Sequence, residues 1–216
     1  VITDPSDFIR TQTLLKATDF VPELRLYQAD VAVDLWQATE DTLEKTGLPP
    51  PYWAFAWPGG QALARYLLDH PAILEGKRVV DLGAGSGLTS LAAAKAGAAS
   101  VLAVDIDPFA LAAIALNAEA NGLSIVTSDA DLMAGPLLDC DLLLIGDLCY
   151  ERPLAERVTT WARQQAARNI PVLLADPGRA YLPETGLQRL ITYTVPTNLD
   201  LEDHTSRETA IYRLMA

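Results

Sequence analysis

Two cysteines, Cys140 and Cys149, and two histidines, His70 and His204, are all that 216 residues supply. Neither their number nor their spacing gives a zinc site or a disulfide framework, so a catalytic metal or a Cys/His nucleophile is not expected. Half of the residues are hydrophobic, yet Asp, Glu, Lys or Arg interrupts every apolar run before it reaches the roughly 20 residues a membrane-spanning helix needs. Positive charge is scarce: 16 basic against 28 acidic residues leave a net charge of −12. This balance argues against a sequence-independent grip on nucleic-acid phosphates. It suits a partner that presents lysines, or serves only to keep the protein in solution. The first ten residues carry Asp4 and Asp7 and lack the basic-then-apolar layout of a secretory signal, which points to a soluble cytoplasmic protein. No internal repeat or low-complexity tract is visible.

What is present is an alternation. From Lys77 onward, short β-branched runs take turns with Ala-rich helical stretches, as a parallel sheet with crossover helices requires. Strands are expected over Lys77 to Leu82, Ser100 to Ile106, Ser124 to Thr127, Cys140 to Gly146 and Pro171 to Ala175. Helices are expected over Ser90 to Ala96, Pro108 to Glu119 and about Pro153 to Arg168. The second of these is the best marked: Asp107 supplies the N-cap, Pro108 the first helical position and Asn121-Gly122 the stop. A short helix near Leu187 precedes two β-rich runs, Leu190 to Val195 and Thr209 to Leu214, which read as an antiparallel hairpin at one sheet edge. The expected fold is one Rossmann-like α/β domain, a seven-stranded, mostly parallel sheet with helices on both faces. Before Lys77 the pattern is less regular. Pro49, Pro50 and Pro51 read as a linker between an N-terminal extension, residues 1–50, and the domain at residues 51–216. Tyr52 to Gly60 reads as a lid. Leu26 to Glu44 has room for a strand and a helix containing Trp36.

The segment Asp81-Leu82-Gly83-Ala84-Gly85-Ser86-Gly87 falls between a predicted strand and a predicted helix, where backbone without side chains can approach a ligand. In the dinucleotide fingerprint the third glycine would fall at Leu88, and a carboxylate two residues before the first glycine has no place. Both departures disfavour a nicotinamide cofactor and suit S-adenosylmethionine, which has no pyrophosphate to cradle but carries an ammonium and a sulfonium that Asp81 can complement. Asp105, about 20 residues beyond Gly83, has the spacing of a ribose-binding carboxylate. Asp107 ranks below it because it must also cap a helix. Asp129 either accepts a hydrogen bond from an adenine amino group or is an exposed loop carboxylate.

The acceptor would lie at the carboxyl edge of the sheet, beside Asp147-Leu148-Cys149-Tyr150. Leu148-Cys149 stands where methyltransferases of nucleobase amines carry two prolines, which disfavours a base as acceptor. A free lysine has a pKa of about 10.4 and must lose a proton before it can attack a methyl group. Asp147 can attract and orient the ammonium, while Tyr150 offers a cation–π face and a hydroxyl. The alternative is a helix cap at Asp147 and core packing at Tyr150. Trp53, Phe55 and Trp57, two residues apart, would share one face of an extended segment and either cover the cofactor or join the core. Cys149 has no basic neighbour in sequence to activate it.

The stretch Pro51-Tyr52-Trp53-Ala54-Phe55-Ala56-Trp57-Pro58-Gly59-Gly60-Gln61-Ala62-Leu63, together with Asp105-Ile106-Asp107-Pro108, Gly146-Asp147-Leu148-Cys149-Tyr150 and Asp176-Pro177-Gly178-Arg179, resembles the electron transfer flavoprotein beta-subunit lysine methyltransferases, and looks like a bacterial member. The resemblance implies a class I methyltransferase fold, S-adenosyl-L-methionine as cofactor, and a lysine of the electron transfer flavoprotein beta subunit as acceptor. It also implies that Trp57, Gly83, Asp105 and Asp129 line the cofactor pocket and that Asp147 and Tyr150 form the acceptor motif; Asp81, Gly85, Gly87 and Ile106 complete the expected cofactor-binding set. A ribosomal protein lysine, a small-molecule amine, RNA, or cofactor binding without catalysis are the rival readings.

Overall fold

The computed structural model describes residues 4–30, 50–135, 139–197, 199 and 202–216. The helix expected around Trp36 lies outside them. The described elements are α1 (Pro5–Gln12), β1 (Leu14–Ala17), β2 (Arg25–Gln28), a 3-10 turn at Tyr52–Ala54, α2 (Pro58–Asp69), β3 (Arg78–Leu82), α3 (Leu88–Lys95), β4 (Ser100–Val104), α4 (Pro108–Asn121), β5 (Val126–Ser128), β6 (Leu142–Gly146), α5 (Arg152–Ala167), β7 (Val172–Asp176), β8 (Leu187–Pro196) and β9 (Ser206–Leu214). Among the described residues no helix is long and apolar enough to cross a membrane.

Seven strands form one sheet in the order β5-β4-β3-β6-β7-β9-β8. The first five run parallel, and β9 inserts antiparallel between β7 and β8. The sheet changes direction of growth at β3, whose neighbours are β4 and β6, so the crevice beyond the carboxyl ends of these strands is the expected ligand site. Alternate residues along each strand feed opposite faces. Val79, Val101, Leu142, Leu144 and Leu173 pack with α2 and α3, whereas Val80, Val104, Leu143, Ile145 and Val172 pack with Ala155, Val158 and Trp161 of α5.

The best-marked helix forms as expected: the Asp107 carboxylate accepts the Phe109 N–H at 2.9 Å, and Gly122 closes α4 in the left-handed region at φ 63°. The β1–β2 hairpin docks on this helix through two asparagines. Asn121 Oδ1 accepts the Arg25 N–H at 3.0 Å, and Asn117 Oδ1 accepts that of Tyr27 at 2.8 Å, so side chains of α4 satisfy backbone donors of β2. Ile9, Ala29, Trp53 and Phe109 share one apolar cluster.

Three expectations fail. Pro58 to Gly60 does not belong to a lid but opens α2, a helix with Leu63 and Leu67 buried beneath it. Trp53, Phe55 and Trp57 do not share an extended face, because the 3-10 turn breaks the alternation. Trp53 is buried against Phe109 with ring centroids 6.1 Å apart, and only Trp57 remains half-buried. The short helix expected near Leu187 does not form there, and Leu187 instead begins the long strand β8.

Candidate active site

The turn after β3 is shaped by left-handed glycines. Gly83 has φ 66°, and its N–H donates to the Val104 carbonyl at 2.8 Å; a β-carbon there would lie 2.7 Å from Leu148 Cδ2. At Gly85, φ 52°, a β-carbon would meet nothing within 4 Å, and the residue lines a cavity of about 660 Å³. Gly87 does not line that cavity. It sets the start of α3 at φ 79° and lets Ile114 approach, so its part is in the shape of the turn.

Asp105 leaves β4 at the cavity wall, where its two oxygens accept the Gly85 N–H at 2.8 Å and the Asp107 N–H at 3.0 Å. A carboxylate offers about four acceptor positions, so two remain for ligand hydroxyls. Burial raises the Asp105 pKa above the ordinary carboxylate value, with these backbone donors opposing the shift. Ile106, beside it, is a large apolar side chain left 77% exposed on the cavity wall. Leu132 and Met133 also line this cavity, giving apolar surface of the kind an adenine ring would cover. Asp129, expected on the cofactor pocket, is exposed and does not line the cavity, whereas the adjoining residues Ala130 to Met133 do.

Asp81 lies deeper, lining a recess of about 50 Å³ with Gly85, Thr89 and Asp147. Its Oδ2 accepts the Ser90 hydroxyl at 2.7 Å, and burial pushes its pKa up to about 7. A buried carboxylate with no basic group against it is electrostatically incomplete, and an ammonium would complete it. An apolar chamber, a ribose-type carboxylate and an acidic recess in this order fit S-adenosylmethionine. The expected anchors Asp81, Gly83, Gly85, Asp105, Ile106 and Trp57 are thus brought together.

The acceptor side is built on Asp147, which follows β6 with φ 57° and is 8% exposed. Its Oδ2 accepts the Gly60 N–H at 3.0 Å, near the first turn of α2. Trp57 occupies the N-cap of α2 but its side chain caps no backbone N–H of the helix, so a carboxylate from 87 residues away in sequence supplies the missing acceptor. Its Oδ1 accepts Arg179 Nη2 at 2.8 Å and Nε at 3.1 Å. Burial pushes the Asp147 pKa up to about 6, against the pull of Arg179. The residue is therefore both the helix cap of one sequence reading and a charged group on the cavity wall, but its charge is already paired.

Tyr150 lines the same cavity, half-buried, with its ring 5.4 Å from that of Tyr52. Burial pushes its hydroxyl up to about 12. Tyr52 in turn packs edge-on against Trp57 at 5.9 Å, and its carbonyl accepts the indole N–H at 2.9 Å. The guanidinium of Arg179 lies 5.8 Å over the Trp57 ring and also donates to Glu202 at 3.1 Å. Tyr52 and Arg179 have no site role predicted from sequence, although both fall in segments that carry the family resemblance. Cys149 is fully buried and its thiol is pushed up to about 12, mainly by burial, so it is no nucleophile.

Comparison with known proteins supplies an independent line. The family model described as ribosomal protein L11 methyltransferase (PrmA) matches residues 61–137. A protein of Danio rerio named electron transfer flavoprotein beta subunit lysine methyltransferase is 36% identical over 218 residues, spanning 98% of this chain and 81% of its own length. The protein of that name from Homo sapiens is 37% identical over 183 residues, spanning 82% and 68%. Among solved structures, magnesium protoporphyrin IX methyltransferase of Synechocystis PCC 6803, determined with bound SAM, superposes with a TM-score of 0.52 at 18% identity over 82% of this chain and 96% of its own. A ribosomal protein L11 methylase of Lactobacillus delbrueckii subsp. bulgaricus gives 0.51 at 22% identity, over 79% and 83%. These two structures share the class I methyltransferase fold.

Proposed function

This chain belongs to the electron transfer flavoprotein beta subunit lysine methyltransferase family, and from that membership we propose that it methylates a lysine of the electron transfer flavoprotein beta subunit, using the groups around Asp147 to bind the acceptor. It is an S-adenosylmethionine-dependent protein-lysine methyltransferase. In this reading residues 51–216 form the catalytic domain, and residues 1–50 are an N-terminal extension whose hairpin supports α4.

When bound, the cofactor supplies an electrophilic methyl group on a sulfonium. The residues of this chain do the rest. Asp105 would hold the ribose hydroxyls, Ile106 and Met133 would cover the adenine, and Asp81 would meet the ammonium. On the acceptor side, Asp147 attracts the lysine ammonium while Tyr52, Trp57 and Tyr150 exclude water around it. Low polarity disfavours the charged amine. Asp147, with its carboxyl near 6, is placed to accept the proton that must leave before the amine attacks.

The observation that carries this reading is the placement of an aromatic-walled carboxylate, Asp147, on the same cavity as Asp105. The ribosomal reading has less support: the L11 methyltransferase of Enterobacter sp. (strain 638) matches 80 residues, 30% of this chain, and the family model ends at residue 137. That model stops before Asp147, Tyr150 and Arg179. The test is incubation of the purified protein with labelled S-adenosylmethionine and the flavoprotein beta subunit, followed by peptide mass spectrometry. A methylated lysine is expected. Label on a small amine or on RNA, with none on protein lysine, would overturn the acceptor assignment.

A further inference from the structure

The pocket that should receive a cation already holds one. Arg179 carries its guanidinium against Asp147 Oδ1, the carboxylate expected to attract a lysine ammonium, and over the Trp57 ring, an aromatic face of the same cavity. We infer that Arg179 is an internal stand-in for the acceptor lysine, a gate that the substrate must displace, with Glu202 as its resting place. This rests on the lysine-methyltransferase reading above.

Three observations support a swing rather than a fixed strut. The root of Arg179 is anchored: Asp176 Oδ1 accepts the N–H groups of Gly178 and Arg179, both at 2.7 Å, so the backbone stays put while the side chain turns. The tip already touches its destination, since Nη2 donates to Glu202 at 3.1 Å as well as to Asp147 at 2.8 Å. Letting go of Asp147 therefore breaks one ion pair and keeps the other. Finally, the charges do not balance. Among the described residues, Asp147, Asp176 and Glu202 face Arg179 and Arg207, three negative groups against two positive, and one further ammonium would close the difference.

The gate also has a place for substrate to arrive. Glu202 and Trp57 line a second groove of about 490 Å³ between the β1–β2 hairpin and the chain beyond β8, and Trp57 lines the cofactor cavity too. Arg179 lines the cofactor cavity and touches two residues of that groove, Glu202 and Trp57. Exchange of one cation for another on Asp147 is nearly balanced in energy, so a bare amine gains little by it. A lysine carried on a protein adds contacts elsewhere and can drive the exchange. Arg179 would in this way make the enzyme select protein lysines over free amines.

Steady-state kinetics on the full chain, with the flavoprotein beta subunit and with Nα-acetyl-lysine methylamide as acceptors, test this. Arg179→Ala should lower KM for the protein about fivefold and bring methylation of the small amine above background. Glu202→Gln should raise KM for the protein about fivefold. Calorimetry should find S-adenosylmethionine bound within about twofold of wild type by both variants. A tenfold loss of kcat in Arg179→Ala with KM unmoved would overturn the gate and make Arg179 a support for Asp147. If Arg179→Ala does not fold, an unmoved KM in Glu202→Gln overturns it and a raised KM supports it. Failure of the wild type to methylate any protein lysine would remove the lysine reading and the gate together. Lysine methylation without the opposed KM shifts would remove the gate alone.

Discussion

A β-carbon on Gly59 would lie 2.5 Å from Asp147 Oδ2 and 2.8 Å from the carbonyl oxygen of Ala175. The two glycines after Pro58 thus let the first turn of a buried helix settle directly on the carboxyl ends of β6 and β7, close enough for Asp147 to cap it. Glycine inside a helix ordinarily costs about 1 kcal/mol relative to alanine. Here the close approach outweighs that cost.

Gly59→Ala should therefore destabilise the protein by about 1–3 kcal/mol, the usual range for overpacking, and reduce methylation at least ~10-fold by moving Asp147. Gly60→Ala is the control, because its β-carbon would find only Thr89 Oγ1, at 3.9 Å. Thermal unfolding and turnover of the two variants, measured side by side, check the contrast. Equal behaviour would deny the steric argument.

These glycines also mark where reading the sequence stops working. The alternation after Lys77, the Asp107-Pro108 helix start, the Gly83-Gly85 turn and the Asp105 position were all legible because each depends on local periodicity or local backbone conformation. Gly59-Gly60 looked like a loop for the same local reason, and the helix it opens answers to a tertiary demand from Asp147 and Ala175. Arg179 was hidden by distance: its partner lies 32 residues away, and no spacing rule links a residue after β7 to one after β6. β5 ends at Ser128 rather than Thr127, and the cavity wall falls on Ala130 to Met133 rather than on Asp129.

Asp105→Ala should weaken S-adenosylmethionine binding by about 1.5–3 kcal/mol, the range for lost hydrogen bonds to a charged group. Asp105 also ties Gly85 in place, so the variant's melting temperature must be read beside its calorimetry. NAD should not compete for the site. Tighter binding of NAD than of S-adenosylmethionine would contradict the cofactor assignment.

Stability and cofactor affinity should depend on pH in opposite directions. Burial raises Asp81 to about 7 and Asp107 and Asp147 to about 6 from 3.8. Between these values the folded state binds more protons than the unfolded one, so the stability of the ligand-free protein should fall as pH rises from about 5 to 7.5. Asp141, held near 2 by Arg78, and Asp139, lowered by the same arginine, cost stability only at pH values below that window. Cofactor affinity should instead strengthen from pH 6 to 7, because Asp81 must ionise to meet an ammonium that is still protonated there. Melting curves and calorimetry across this range check both slopes, and Asp81→Asn should flatten each of them.

The most direct test of the central claim compares wild type with Asp147→Asn, which keeps an oxygen for the Gly60 N–H and removes the charge. Methylation of the flavoprotein beta subunit should slow at least ~100-fold, as for loss of a general base or orienting group, with the dissociation constant for S-adenosylmethionine changed by no more than about threefold. Equal rates for the two proteins on a confirmed lysine substrate would contradict it and remove Asp147 from the mechanism.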